Sequence, residues 1–249
     1  MQKHTNRYTS DKGKKVWEEL ESVTRFGYST STIFSDWLEF ILNALLSLSD
    51  NMRRHDFNEF KKRLEQNNFD GIYEERYKEI VSRYRNEGEI GKREIDHFVK
   101  AWALLFAETQ EKQEDIIGQI FMERITYGEN GQYYTPTPIV QMINAIVSAE
   151  DSETVADPCG CGSGRFLIEA GNKNPNAFLV GNDIDARCVK MAVINMYLLN
   201  LNAKIIQGNA LLLESDVIYF VQKGGFVYEV RPERREVEPA RTPAQVSLF

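Results

Sequence analysis

Apolar residues recur every three or four positions along the first half of the chain, which is the spacing of helices with one buried face. The predicted helices cover residues 31–46, 56–65, 73–84, 95–106 and 116–125. Their aliphatic and aromatic stripes are interpreted as the core of a bundle, so residues 1–126 are predicted to form an all-helical N-terminal domain. The first 30 residues are polar and predict an arm or a loosely packed entry.

The pattern changes after the turn-rich residues 127–131, where short apolar runs begin to alternate with helices. Strands are predicted at 154–156, 177–181, 204–207, 216–221 and 226–230, and helices at 138–149, 165–170 and 186–200. This alternation indicates an α/β fold with helices packed on a parallel sheet. Residues 127–230 are therefore predicted to form a shortened Rossmann-like sheet. Residues 231–249, rich in Pro, Glu and Arg, are predicted to be a flexible tail.

The composition is that of a soluble globular protein, with 42% hydrophobic and 27% charged residues. No apolar run approaches the roughly 18 residues that cross a bilayer. The polar first residues do not resemble a secretory signal. We therefore expect a cytoplasmic protein that does not associate with membranes.

Cysteine and histidine do not form a metal-binding pattern. The three cysteines, Cys159, Cys161 and Cys188, include one C-x-C pair without a second pair nearby, and the three histidines are scattered. Neither a disulfide framework nor a metal site is expected. The C-x-C pair is interpreted as small residues that fill a tight loop.

The formal net charge of −7 is unusual for a free-standing DNA-binding protein, which generally presents a basic face to the phosphates. Basic clusters such as Lys61-Lys62-Arg63 are interleaved with acids, so solvated helix faces and a nucleic-acid stripe are equally compatible with them. If DNA is the substrate, we expect the chain to need help in holding it.

A glycine-rich segment, residues 157–164, follows the first predicted strand and precedes a helix. Gly160, Gly162 and Gly164 stand at alternate positions rather than in the G-x-G-x-x-G spacing of dinucleotide sites. Such glycines let the backbone approach a ligand that has no pyrophosphate, at a helix N-terminus that favours polar groups. Asp157, at the end of the strand, can bind a cationic amino group.

Polar residues also follow the next two predicted strands. In Gly181-Asn182-Asp183-Ile184-Asp185, Asp183 can accept both hydroxyl groups of a ribose, while Asp185 caps the following helix. After the third strand, Asn209 can hydrogen-bond the amino group of an adenine. Three such segments in order, at successive strand ends, favour a nucleoside cofactor.

A further segment of the sequence relates these residues to a known protein family. Gly131-Gln132-Tyr133-Tyr134-Thr135-Pro136, followed by a helix and then Asp-Pro-x-x-Gly-x-Gly, resembles the modification-subunit family of type I restriction systems, which are N6-adenine DNA methyltransferases. The resemblance implies S-adenosylmethionine as cofactor, DNA as substrate and a specificity-type subunit as partner. It also implies that the Tyr and Thr enclose the methionine end of the cofactor. The cofactor-binding residues implied are Tyr133, Thr135, Pro136, Asp157, Pro158, Gly160, Gly162, Gly164, Asp183, Ile184, Asn209 and Ala210.

The family's catalytic motif, Asn/Asp-Pro-Pro followed by an aromatic residue, is absent from the sequence. In the family it follows the fourth strand, where it stacks the flipped base and accepts hydrogen bonds from its amino group. Here the expected place, residues 221–225, reads Val-Gln-Lys-Gly-Gly, and the only Asn-Pro, Asn174-Pro175, falls in a loop. Catalytic residues are therefore left unassigned.

Two interpretations stay open at this point. One is a DNA adenine methyltransferase whose target-base site is divergent and completed by a partner. The other is a non-catalytic relative that serves as a regulatory or assembly subunit on DNA. Methylation of a small molecule, RNA or protein is a third class, and the Gln-Tyr-Tyr-Thr-Pro segment disfavours it.

The last five residues, Gln245-Val246-Ser247-Leu248-Phe249, resemble the Gln-x-x-Leu-Phe peptide that docks into bacterial sliding clamps. Gln245 begins the motif, and Leu248 and Phe249 would be two apolar anchors in a preformed pocket. The alternative, given equal weight, is a tail that folds back onto its own domain.

Overall fold

The computed structural model describes residues 11–126, 135–147 and 153–232. The described helices are α1 (Lys14–Ser22), α2 (Thr30–Arg54), α3 (Phe57–Glu65), α4 (Ile72–Ser82), α5 (Glu94–Lys112), α6 (Ile116–Ile120), α7 (Thr137–Ile146), α8 (Arg165–Lys173) and α9 (Ala186–Leu198). A 3₁₀ turn, Val23–Phe26, follows α1, and a π-helical turn, Phe121–Thr126, follows α6. Within these described ranges, no helix is both long and apolar enough to cross a membrane.

The central helix of the N-terminal half is α2. The side chain of Ser29 caps it by accepting a hydrogen bond from the backbone N–H of Thr32, and the helix then runs for 25 residues. Its apolar stripe is buried, and the indole of Trp37 donates to the carbonyl of Phe98 in α5 at 3.2 Å. The predicted stripes therefore do form a bundle core.

The prediction of a polar arm over the first 30 residues is wrong for the part that the structure describes. Residues 14–22 form α1, in which Val16, Trp17 and Leu20 are buried and which packs on α5. A few apolar residues on one side are enough to bury a short amphipathic helix, even among many charges.

Five strands form one mixed sheet, in chain order: β1 (Thr154–Asp157), β2 (Phe178–Asp183), β3 (Asn202–Gln207), β4 (Val217–Gln222) and β5 (Phe226–Val230). β1, β2 and β3 are parallel and are connected by α8 and α9, which confirms the predicted α/β, Rossmann-like class. β4 pairs antiparallel with β3, and β5 pairs antiparallel with β4. Among the described strands, β1 is therefore at one edge of the sheet.

The described helices that contact the sheet cover one of its faces. α8 packs on β1 and β2, α9 packs on β2, β3 and β4, and α2 packs on α9 and β5. On this face Leu179 and Ile205 are fully buried, whereas residues that alternate with them, such as Phe178, are partly exposed. Arg76 of α4 pairs with Glu229 of β5 at 3.0 Å, so the N-terminal helices pack directly on the sheet layer. The division into domains at residue 126 stays a prediction.

Candidate functional site

The glycine loop after β1 adopts a backbone that alternate glycines make accessible. Gly160, Gly162 and Gly164 have φ angles of 80°, 56° and 81°, in the left-handed region that favours glycine. The N–H groups of Gly160 and Cys161 both donate to the carbonyl of Asn182 in β2, at 2.9 and 3.0 Å. A Cβ placed on Gly160 would meet no atom within 4 Å. The loop therefore forms an open cradle at the carboxyl ends of β1 and β2.

Two carboxylates lie beside this cradle. Burial raises the pKa of both Asp157 and Asp183 above the usual aspartate value of 3.8, and the charge of Asp183 raises the pKa of Asp157 further. Neighbouring, desolvated carboxylates favour a cationic ligand, because a positive charge offsets both their desolvation and their mutual repulsion.

Asp183 also has a structural role that the sequence did not indicate. One of its oxygens accepts from the N–H of Gly162 and the other from the N–H of Asp185, each at 2.9 Å, so it bridges the loop and the turn before α9. Each oxygen retains a further lone pair, so a ribose contact is compatible with these bonds. Asp185 caps α9 as predicted, accepting from Arg187 N–H at 2.8 Å. Ile184 is 71% exposed and presents an apolar surface beside the carboxylate.

Asn209 follows β3 in a loop that uses its side chain. Its Oδ1 accepts from the N–H groups of Leu211 and Leu212, at 3.0 and 3.3 Å. A ligand amino group would therefore share that oxygen with the loop. Ala210 is half-buried, whereas Leu211 and Leu213 are 87% and 91% exposed, so the loop presents an apolar surface at this end of the sheet.

The described part of the Tyr-Tyr-Thr-Pro segment is Thr135 and Pro136, and Tyr133 lies outside the described residues. Both described residues are exposed, and Pro136 immediately precedes α7. The carbonyl of Thr135 accepts from the guanidinium of Arg165, the first residue of α8, at 3.2 Å. Thr135 is thus tied to the end of the glycine loop.

Behind the loop lies a buried network that the sequence reasoning missed. Asp115, just before α6, accepts from Ser163 Oγ of the loop at 2.5 Å and from Asn195 Nδ2 of α9 at 2.8 Å. Arg165 pairs with the same carboxylate at 3.2 Å, and the N–H of Gly118 donates to it at 2.8 Å. One carboxylate therefore holds α6, the loop, α8 and α9 together.

In the sequence, the glycine inside α6 is the residue that could have indicated this network. A Cβ on Gly118 would lie 2.1 Å from a carboxylate oxygen of Asp115 and 2.3 Å from Ser163 Oγ. Only glycine allows that approach without displacing the network. A glycine three residues after an aspartate, inside an otherwise apolar helix, is therefore informative.

The cysteines near the loop serve packing. Cys161 and Cys188 are buried and Cys159 is exposed. Burial raises the pKa of the Cys161 thiol far above its usual range. A Cβ on Gly181 would lie 3.0 Å from the Cys161 sulfur, so the thiol fills the space between the loop and β2. Among the described residues, no group of three or more His, Cys, Asp or Glu could hold a metal ion.

The expected position of the catalytic motif lies away from the cradle. β4 is next to β3 and is separated from β1 by two strands, and residues 221–225 form its end and a hairpin turn. Within the described ranges, no strand fills the place beside β1. The tail residues Gln245, Leu248 and Phe249 lie outside the described residues.

These features define a Rossmann-like α/β sheet with a preformed ligand cradle at its strand ends. Residues 112–218 match the family described as "N-6 DNA Methylase". This match confirms the predicted resemblance to the N-6 DNA methylase family over that segment, which is less than half of the chain.

Two known proteins show how much of the chain is shared. Type II methyltransferase M.XamI from Xanthomonas campestris pv. amaranthicola is 39% identical over 67 residues, 26% of this chain and 12% of that protein. The crystal structure of a type I restriction-modification methyltransferase subunit from Streptococcus thermophilus is 13% identical, with a TM-score of 0.41, over 80% of this chain and 58% of that one. The chain thus spans about an eighth of the first relative and less than two thirds of the second.

Proposed function

We propose that this chain binds S-adenosylmethionine at the glycine loop and supplies the cofactor-binding part of a DNA adenine N6-methyltransferase in DNA modification or restriction-modification. The observation that carries the proposal is the open cradle at Gly160, flanked by the carboxylates of Asp157 and Asp183. The match of residues 112–218 to the N-6 DNA methylase family supports both the cofactor and DNA as the substrate.

The residues present fit the chemistry of this cofactor. S-adenosylmethionine supplies an activated methyl group on a sulfonium and also carries an ammonium, and the half-buried Asp157 and the buried Asp183 favour such positive charge. Asp157 binds the ammonium, Asp183 the ribose hydroxyls, and the exposed side chain of Ile184 packs against the adenine ring. Asn209 and Ala210 border the same ring, and Thr135 and Pro136, with Tyr133, close the methionine end.

Transfer to adenine also needs groups that hold the target base. The adenine amino group is a weak nucleophile, and acceptors that bind its hydrogens promote attack. Since two strands separate β4 from β1, the segment after β4 does not place such groups beside the cradle. We therefore propose that this chain supplies the cofactor-binding half of the active site. A partner, such as a specificity-type subunit, completes the site that holds the target base. The placement of β4 also favours the second candidate, a non-catalytic subunit that binds DNA through partners.

Calorimetry with S-adenosylmethionine tests the cofactor site. Binding is expected for the wild-type chain and for Glu153→Ala, an exposed acid just before β1, and a loss of at least tenfold in affinity for Asp157→Ala. Radiolabelled methyl transfer to DNA, with and without a specificity-type subunit, tests the reaction. Absence of both heat and thermal shift with the wild-type chain would refute the cofactor site. Binding without transfer in either condition would establish the non-catalytic alternative.

The cellular location and the partners of the chain follow from this proposal. Because the net charge is −7, electrostatic attraction to DNA is weak unless a partner contributes basic surface. We propose a cytoplasmic chain that acts on DNA with a specificity-type subunit. We also propose that its C-terminal Gln245, Leu248 and Phe249 bind the sliding clamp.

A further inference from the structure

The sheet is unfinished at β1, in three adjoining places that we call the open side. The first is the edge of β1, Thr154–Asp157, which pairs with β2 on one side and with no described strand on the other. Its outward backbone N–H and C=O groups are available to a further strand.

The second part of the open side is the outer face of α7. This helix packs on α8, where Val140 and Asn144 are buried. On its other side Ile139, Met142 and Ile146 are 44%, 57% and 75% exposed. They are spaced as one helical stripe, and none of the ten residues of α7 is charged. An apolar stripe without charges indicates a surface that another element covers.

The third part is the uncovered sheet face. The strand register places Val180, Lys204, Phe220 and Tyr228 in one row across it. Tyr228 is 40% exposed and stacks on Phe220 at a ring-centroid distance of 5.0 Å. Residues 217–221 of β4 read Val-Ile-Tyr-Phe-Val, a continuous apolar run that is typical of strands buried on both faces. All-parallel sheets are almost always covered on both faces, and the three parallel strands β1, β2 and β3 form the part of this sheet to which that rule applies.

The positive charge of Lys204 restricts the kind of molecule that can cover this face. It is the only charged residue on the face among the described residues, it is half-buried, and no described carboxylate lies within 4 Å of its ammonium. It also lies on β3, the middle strand of the sheet. A covering surface that buries this lysine must supply a negative charge, because an unpaired buried charge is strongly unfavourable.

A second copy of the chain cannot satisfy all three places. Packed face to face about a two-fold axis, it would present the same face, which has no described carboxylate to pair with Lys204, and would leave the β1 edges open. Paired edge to edge through β1, it would cover α7 and leave the apolar face exposed. A different polypeptide can fill the edge and the face together.

We propose that the open side binds a second polypeptide of α/β type, which adds a strand to β1, seats its sheet over α7, and places helices and a carboxylate on the face around Lys204. A strand beside β1 would also create the reversal of strand order at which open α/β sheets bind their ligands. The proposal rests on packing surfaces alone, so it is independent of whether the cradle binds S-adenosylmethionine.

Photocrosslinking in cells that naturally produce the full chain tests it. The probe is p-benzoylphenylalanine, placed singly at the positions of Ile146 on α7 and Tyr228 on the face, with Phe106 on α5, 47% exposed, as the control position. The same foreign polypeptide is expected to be joined at both open-side positions and not at the control. The complex is then purified, and its affinity is measured with Lys204→Glu and with Lys15→Glu, an exposed residue of α1 that gives the same change of charge.

Lys204→Glu is expected to weaken binding at least tenfold, and Lys15→Glu to leave it unchanged, with both variants melting at the wild-type temperature. Adducts with a second copy, with the chain itself, or with different polypeptides at the two positions would overturn the proposal. So would the absence of any adduct, or a partner whose affinity does not change in Lys204→Glu.

Discussion

Replacing Asp115 tests whether the network behind the glycine loop holds the two halves of the molecule together. Its side chain is 3% exposed and pairs with Arg165, which is 12% exposed. Removing one partner of a buried pair costs about 3–5 kcal/mol, since the other charge is left unpaired. Asp115→Ala is therefore expected to lower the free energy of unfolding by about 3–5 kcal/mol, and the melting temperature by roughly 10 °C. Urea titration followed by circular dichroism measures the change.

Asp56→Ala is the matched control, because Asp56 also accepts backbone hydrogen bonds at a helix start but is exposed. It caps α3 through the N–H groups of Asn58 and Glu59 at 2.9 and 3.0 Å. Loss of such a cap costs about 1 kcal/mol. The difference between the two variants measures the buried network beyond capping. Equal losses for Asp115→Ala and Asp56→Ala would refute the reasoning.

Four further predictions concern the cradle and the tail. Burial raises the pKa of Asp157 in the folded chain above 3.8, so the wild-type chain is expected to lose stability as pH rises from 3.8 through that raised pKa. Asp157→Asn is therefore expected to be more stable than the wild type at neutral pH and to show a flatter pH dependence in urea titrations; lower stability at pH 7 would contradict this. Gly160→Ala is expected to cost about 1–2 kcal/mol of backbone strain and to weaken cofactor binding in calorimetry. Gly164→Ala is expected to destabilise more, since its Cβ would also lie 3.2 Å from Met196. Deleting residues 245–249 is expected to abolish capture by an immobilised bacterial sliding clamp, and equal recovery of both forms would remove the idea.

Features set by local sequence were predicted well. The glycine loop, the Asp185 cap and the helical stripes depend on residues that are close along the chain, so spacing alone indicates them. The Asp115 network was missed because its partners, Ser163 and Asn195, lie 48 and 80 positions away. Nothing in the local pattern distinguishes that buried aspartate from an ordinary helix cap, apart from the tight approach of Gly118.

The order of the strands was less accessible to sequence reasoning. A run such as Val217–Gln222 predicts a strand but not its neighbour or direction. The signal was the short turn at Gly224-Gly225, where both residues have positive φ angles of 92° and 89°. A turn this short permits only antiparallel pairing, since parallel strands need a long crossover. The turn therefore indicates the antiparallel pairing of β4 with β5, whereas the place of β4 beside β3 is visible only in the structure.

The position of the β4–β5 hairpin explains why the expected place of the catalytic motif is not beside the cradle, although the cradle itself is well ordered by its hydrogen bonds. The cradle is braced from two sides, by Asp183 on the strand ends and by Asp115 from behind, so ligand binding need not order the loop. A reaction with a second substrate needs residues on the other side of the ligand crevice. In open α/β sheets these residues come from the strand that borders the crevice on that side. In this chain such a strand would lie beside β1, next to the exposed stripe of α7. The cradle is thus preformed at the place where the described sheet is open, which is the arrangement expected if a further element completes the ligand crevice.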